Sequence, residues 1–373
     1  MIWQESFWPN IGGAEVMATK LLLAMRRRGH EFVVVTRQDR TDQPAEDQYD
    51  GIPIYRFPFW TVLVSGRVDK IMEIRQWVAR LKHSFAPELV HVNCFGPSVF
   101  FHTNTASAHP TPLLVTLHSQ ENLVARASAR TFMRSADWIV GCSSAILELA
   151  HQLAPETISR SSIIYNGLEP PGLSPAPLPF APPRLLCLGR VVAEKGFDLA
   201  LSAFASLAPR FPGIRLTVAG DGLARAQLEA QALQLGILSQ VDFLGWVVPD
   251  AVPSLLNTST IVLMPSQQEA FPLVALEASV MARPVVASRI GGLREIVLHG
   301  KTGLLIDSGD CGALAQAVAS LLDNPEMGAQ MGQAARRRVL RLFSFERHVE
   351  AYETLYDEVA GTWRGRKDRR EFR

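Results

Sequence analysis

The stretch RLLCLGRVVAEKGFDLALSAFASLAPRFPGIRLTVAGDG (184–222) decides the fold. RLLCLG (184–189) is a short, almost wholly apolar run, as a strand buried on both faces requires. Residues 196–209 carry helical spacing, and IRLTVAG (214–220) is a second buried strand. Strand, helix and strand in that order make the βαβ unit of a parallel sheet. The alternation continues toward the C-terminus through VDFLG (241–245), TIVLMP (260–265), PVVAS (284–288) and GLLID (303–307), with helices expected at 222–235 and 272–282.

The same pattern occupies the first half. EFVVVT (31–36), IPIYRF (52–57), ELVHV (88–92), LLVTLH (113–118), DWIVGC (137–142) and SSIIYN (161–166) read as strands. Residues 13–28 read as a helix that opens after Gly12-Gly13 and closes on three arginines before Gly29. Between the two arrays, the segment 169–183 is rich in proline, which rejects helix and central strand. The expectation is therefore α/β, with two doubly wound Rossmann-like domains facing a central cleft. The first spans 1–168 and lies on the acceptor side, 169–183 is a linker, and 184–342 is the second domain. Residues 343–373 form a C-terminal helix returning to the first domain and ending in a charged tail.

A chain of 373 residues that is 47% hydrophobic can build two sizeable cores, which excludes a disordered protein. Lys plus Arg (37) nearly cancel Asp plus Glu (36), so no overall basic field points to nucleic acid. No apolar run reaches the roughly 18–20 residues of a membrane span, and MIWQESFWPN lacks the regions of a secretory signal. Cys94, Cys142, Cys187 and Cys311 form no CxxC or metal-type cluster; Cys142 and Cys187 lie in apolar runs, as small core residues do. The expected setting is a reducing cytoplasm. Residues 336–373 hold eleven basic and seven acidic side chains. They read either as a solvated, frayed end or as an electrostatic contact with anionic lipid at the inner face of a membrane.

Four local patterns carry chemistry. Gly12-Gly13-Ala14-Glu15 precedes a helix, where free N–H groups and the helix dipole favour an anion such as phosphate; alone it is equally a tight turn. GRVVAEKG (189–196) places Arg190 and Lys195 on a strand-to-helix loop, a fork and a point charge suited to a diphosphate; otherwise it is a charged surface loop. QEAFPLVALE (268–277) puts Pro272 at the expected first helical position, with the amides of Leu273 and Val274 left open. Glu269 precedes that helix and Glu277 lies inside it, either accepting ligand hydroxyls or as a satisfied structural carboxylate. His118 ends an apolar strand at the same kind of edge, or is a hydrogen-bonded core histidine.

Taken with Asn166-Gly167, GDG (220–222), FLG (243–245), PVVAS, GGLREIV (291–297) and GKTGLL (300–305), these residues resemble the retaining nucleotide-sugar glycosyltransferases of family 4, also described as glycosyl transferases group 1, with the GT-B fold. The resemblance covers nearly the whole chain. It implies a donor with Gly12 and Gly13 at its phosphate, Arg190 and Lys195 as the diphosphate clamp, and Glu269 at the sugar hydroxyls. Phe271, Pro272 and Leu273 match the turn near sugar and phosphate, Glu277 the ribose carboxylate, and Trp246 and Val247 the wall of the base site. His118 matches the histidine near the reacting end, and Glu15 falls to the acceptor side.

The implied reaction moves a sugar from a UDP-, GDP- or ADP-linked donor to a saccharide, lipid or small-molecule acceptor. It proceeds with retention by front-face attack, and needs neither metal nor cofactor. Acceptor loops are expected at 58–67 and 94–104, where Phe59, Trp60, Phe95, Phe100 and Phe101 serve either the acceptor or the core. Three departures stand out: Gly12 comes only eleven residues after Met1, Ser119 follows His118 in place of the frequent Asp or Gly, and Ala282-Arg283 replace a customary Gly-containing pair. The competing readings are a GT-B nucleotide-sugar epimerase or phosphorylase and a nucleotide-sugar-binding protein without transferase activity. An NAD-dependent dehydrogenase is weakened because no GxGxxG follows the first strand.

Overall fold

The computed structural model describes residues 1–9, 12–38, 40, 42–93, 95–120 and 126–371; Cys94 lies outside them. The chain forms two compact units, Met1–Asn166 with Glu346–Arg373 (unit 1) and Gly167–Phe345 (unit 2).

Unit 1 is built on an eight-stranded sheet of β1 (Ile2–Gln4), β2 (Val34–Arg37), β3 (Glu46–Tyr49), β4 (Ile52–Phe57), β5 (Val90–Val92), β6 (Leu113–Leu117), β7 (Trp138–Gly141) and β8 (Ser161–Ile163), ordered β3-β4-β2-β1-β5-β6-β7-β8. Its helices are α1 (Gly13–Arg27), α2 (Phe59–Ser65), α3 (Val68–Phe85), α4 (Ser98–Thr103), α5 (Arg126–Ser135) and α6 (Ser144–Leu153). β1 is only three residues long, yet it lies in the middle of the sheet, fully buried between β2 and β5. Leu22 and Ala18 of α1 pack with Ile2, Val34, Ile52 and Ile54 against it. β3 has no counterpart in the sequence reading. Its residues EDQY are polar, and it pairs antiparallel at the sheet edge, where one face meets water and apolar content is not required.

Unit 2 holds a six-stranded, wholly parallel sheet. Its strands are β9 (Arg184–Leu188), β10 (Arg215–Ala219), β11 (Val241–Gly245), β12 (Ile261–Met264), β13 (Val285–Ser288) and β14 (Gly303–Ile306), ordered β11-β10-β9-β12-β13-β14. α7 (Phe197–Leu207), α8 (Arg225–Gln234), α9 (Val252–Asn257), α10 (Leu273–Val280), α11 (Leu293–Ile296), α12 (Cys311–Asp323) and α13 (Pro325–Leu342) cover it. Cys187, Phe204, Leu216, Leu263 and Leu314 sit in one apolar core.

The proline-rich segment belongs to unit 2 and is not a free spacer. Asn257 accepts from the Ala176 amide at 2.9 Å through Oδ1 and donates from Nδ2 to the Ser174 carbonyl at 2.9 Å. Thr260 donates to the Pro179 carbonyl, and Arg283 donates to the Ala176 carbonyl. The Ala282-Arg283 departure is thereby explained. Ala282 takes the left-handed conformation (φ +55°) that glycine ordinarily fills, and fully buried Arg283 also donates to the carbonyls of Met281 and Ser259. Burial lowers the Arg283 guanidinium to about 10.

α14 (Phe345–Glu371) follows, and from Glu346 onward it groups with unit 1. Tyr356 bonds His91 Nδ1 at 2.7 Å, Tyr352 bonds Thr116 at 3.0 Å, and His348 Nδ1 donates to the Tyr165 carbonyl at 2.7 Å. Glu346 and Glu353 pair with Arg28. Within the charged tail, Arg364 pairs with Glu88.

Candidate active site

A doubly wound sheet reverses its winding once, and the loops leaving the two strands at that point separate at their carboxyl ends to leave a ligand crevice. In unit 2 the chain winds outward from β9 through β10 to β11, then restarts at β12 on the other side of β9. The loops after β9 and β12 therefore flank the crevice. They carry Arg190 and Lys195 on one side and Glu269 on the other.

Lys195 and Glu269 meet, and Arg190 does not join them. Lys195 Nζ lies 2.7 Å from Glu269 Oε1, with side chains 20% and 7% exposed, and Ser266 Oγ donates to the same oxygen at 2.9 Å. The Gln267 amide donates to the Glu194 carbonyl at 2.8 Å, which joins the two loops through their backbones. Arg190 is largely exposed, 3.8 Å from Glu194. An ammonium has three donors and Lys195 uses one here; Glu269 Oε2 has no partner among the described residues. The pair thus keeps two N–H groups and one carboxylate oxygen for a ligand.

Glycines make this geometry attainable. At Gly291 (φ +41°) an added Cβ would lie 1.7 Å from the Glu269 carbonyl oxygen, so the backbone carrying Glu269 rests on a position open only to glycine. At Gly220 (φ +130°) it would lie 1.8 Å from the Gly189 carbonyl oxygen. The Val191 amide donates to the Asp221 carbonyl at 2.9 Å, so the GDG turn supports the loop that carries Arg190 and Lys195.

The remaining unit 2 residues extend along the same sheet edge. Phe271 is buried, its ring 5.4 Å from that of Phe343. Pro272 takes the cap position (φ −75°, ψ 125°) and not the expected first helical one; Leu273 starts α10, and the Ala275 amide donates to the Pro272 carbonyl at 3.2 Å, so the first-turn amides left open among the described residues are still those of Leu273 and Val274. Glu277 is half-buried, between buried Leu276 and Ala278. Trp246 and Val247 follow the edge strand β11, with Trp246 exposed.

Unit 1 repeats the topology, with its reversal between β1 and β5. Gln4 ends β1 and Asn93 follows β5; Asn93 Nδ2 donates to Gln4 Oε1 at 2.9 Å. His118, one residue past β6, donates from Nε2 to Asn93 Oδ1 at 3.0 Å. Burial, with a smaller contribution from His348, lowers His118 to about 4, so its imidazole is neutral at pH 7 and Nδ1 bears the lone pair. Gln4 Nε2 is buried without a hydrogen-bond partner among the described residues.

Gly12, extended at φ −147°, caps α1, which has no side-chain cap. The Glu15 carboxylate folds back against it: a Cβ on Gly12 would lie 2.3 Å from Glu15 Oε2. Gly13 opens the helix.

Sequence reasoning missed Ser266, Asn93 and Gln4. Nothing in residue type marks them; only their places at strand ends do. Among the described residues, no three His, Cys, Asp or Glu side chains come together as metal ligands.

Comparison with known proteins fits this geometry. Residues 11–171 match the family described as Glycosyltransferase Family 4, and residues 176–338 match Glycosyl transferases group 1. A Mycobacterium tuberculosis protein named glycogen synthase is 29% identical over 93% of this chain and 91% of its own length. A D-inositol 3-phosphate glycosyltransferase from Corynebacterium urealyticum is 38% identical over 45% of this chain and 41% of its own. Among solved structures, sucrose-phosphate synthase from Thermosynechococcus elongatus has a TM-score of 0.84 at 20% identity, over 97% of this chain and 99% of that one. Anabaena HepE in complex with UDP-glucose has a TM-score of 0.75 at 21% identity, over 98% of both chains. The chain belongs to the GT-B glycosyltransferases, its first half of the family 4 type and its second half of the group 1 type.

Proposed function

We propose that the enzyme transfers a sugar from a nucleotide-diphosphate donor to a saccharide, lipid or small-molecule acceptor, with retention at the anomeric carbon and without metal. The observation that carries this reading is the Lys195–Glu269 pair at the unit 2 reversal point, 2.7 Å long and still open for ligand bonds on both partners. As the bond from the anomeric carbon to the diphosphate oxygen breaks, its electron pair stays on the diphosphate. Lys195 and Arg190 stabilise that growing charge. The acceptor oxygen attacks on the same face, and its proton passes to the departing phosphate oxygen, so no enzymic nucleophile is required.

Glu269 Oε2 accepts a donor sugar hydroxyl, Glu277 holds the ribose, and Trp246 with Val247 lines the base. The first-turn amides after Pro272, together with Phe271 and Leu273, approach sugar and phosphate, and Gly12 and Gly13 contribute from α1. His118, neutral and fixed through Nε2, offers Nδ1 as an acceptor near the reacting carbon; Glu15 faces the acceptor. UDP-linked sugars are the first donors to test, since HepE carries UDP-glucose.

The test is a thermal-shift panel of UDP, GDP and ADP and their sugars, followed by transfer assays with the donor that raises the melting point. Transfer that persists in EDTA supports metal independence, and transfer that stops overturns it. Lys195→Ala and Glu269→Ala that fold and turn over normally would remove the site assignment.

A further inference from the structure

The edge of unit 1 that carries Gln4, Asn93 and His118 also bears an apolar surface unused by the unit's own packing. β4 ends at Phe57 and α2 starts at Phe59, at the carboxyl end of the strand. Phe59 and Val62 anchor α2 inward; the Phe59 ring lies 5.9 Å from Trp3 and 4.8 Å from Phe101. Phe59 and Phe101 are thus core residues. Trp60 and Val64, four apart on the outer face of α2, are 59% and 67% exposed. Gly66 (φ +64°) turns the chain into α3, where the spacing repeats: Val68 is 69% and Met72 42% exposed. Arg75 reaches Met72 Sδ at 3.5 Å and the Asn104 carbonyl at 3.2 Å, tying this stripe to α4, where Phe100 is also exposed. Every residue from Val64 to Lys70 is exposed, so the α2–α3 junction is a projecting corner.

Its charge is one-sided. Around the stripe stand Arg67, Lys70, Arg75 and Arg80 against Asp69 and Glu73. Arg67 pairs with Asp69 and Lys70 with Glu73, each at 2.6 Å, leaving Arg75 and Arg80 without a carboxylate among the described residues. Small ligands are held in concave sites where polar groups converge. A convex corner of Trp, Val and Met with surplus cations is the composition of an interfacial anchor, in which tryptophan sits at headgroup level and cations face anionic headgroups.

We propose that the α2–α3 corner seats unit 1 on an anionic lipid bilayer, inserting Trp60, Val64, Val68 and Met72. The proposal rests on unit 1 alone and does not depend on the donor reading. It would set the strand ends bearing Asn93 and His118 beside the membrane, where a lipid-borne acceptor would be met.

Flotation of the full chain with phosphatidylcholine vesicles, and with vesicles that also contain phosphatidylglycerol, tests it. The chain is expected to float with the anionic vesicles and to be released by salt. Trp60→Ser with Val68→Ser should lower the bound fraction by about tenfold or more, with unchanged melting because both side chains are exposed. Arg67→Glu with Arg80→Glu should erase the preference for anionic lipid. No flotation with either vesicle overturns the proposal. So does binding that survives the Trp60/Val68 change but is lost on removing the residues after 363, which would make the tail the anchor. A wild-type dimer that the Trp60/Val68 change converts to monomer also overturns it, since a second copy would then cover the face.

Discussion

In unit 2 the loops that leave β9 and β12 meet through an ion pair, Lys195 to Glu269; in unit 1 the carboxyl ends of β1 and β5 meet through a neutral amide pair, Gln4 to Asn93. The topology is the same and the charge state is not. Unit 2 sets Lys195 and Glu269 at contact distance, on glycine-supported backbones that hold the partners there. Unit 1 removes charge by desolvation. His118 falls to about 4, His348 to about 4, and Lys82, bonded to His102 and set over the Trp3 ring, to about 7. A departing diphosphate suits the first environment and hydroxyl groups suit the second.

The contrast breaks most visibly at the ion pair. Replacing Glu269 or Lys195 by Ala should lower kcat/KM by roughly 100-fold or more, the scale seen for groups that stabilise a transition-state charge. If kcat holds and only KM rises, the pair binds donor without stabilising the leaving group. Next in size is the support beneath it. Gly291→Ala forces a Cβ to 1.7 Å from the Glu269 carbonyl oxygen in a left-handed conformation, and should destabilise unit 2 by about 3 kcal/mol in denaturant unfolding. An unchanged midpoint would show that the loop relaxes freely.

Lys82→Met sharpens the other side of the comparison. The native ammonium titrates near 7 against an ordinary 10.5, so the unfolded chain holds that proton more tightly. The penalty is complete below pH 7 and disappears as pH rises toward 10.5. Unit 1 of the wild type should therefore gain stability across that window, and Lys82→Met should be more stable at pH 7, by about 2 kcal/mol, and lack the gain. Parallel pH profiles of the two proteins would show that Lys82 is solvated. The smallest effect is expected at Asn93→Asp. A carboxylate bonded to Nε2 should raise the His118 midpoint by about 1 unit or more against the opposing burial and the neighbouring His348, read by NMR titration.

Much of this was legible in the sequence. Twelve of the fourteen strands among the described residues follow from short apolar runs, because strands buried on both faces need apolar residues throughout. The polar edge strand β3 carried no such mark, and β1 was too short to show a pattern. Arg190, Lys195, Glu269 and Glu277 were legible as motif residues. Ser266, Asn93 and Gln4 were not, because a serine or an amide looks the same in a surface loop as at the end of a buried strand. Trp60 and Phe101 stand in the same kind of aromatic context, yet one is exposed and the other buried.

The order of apolar runs and helices, the glycine positions and the charged motifs were properties of the chain itself, because local periodicity and backbone freedom are written residue by residue. Tertiary structure alone decided that Lys195 faces Glu269, that Arg283 holds the proline-rich segment, and that His118 is neutral. Each of these depends on distances between residues far apart in the chain and on the water their neighbours exclude.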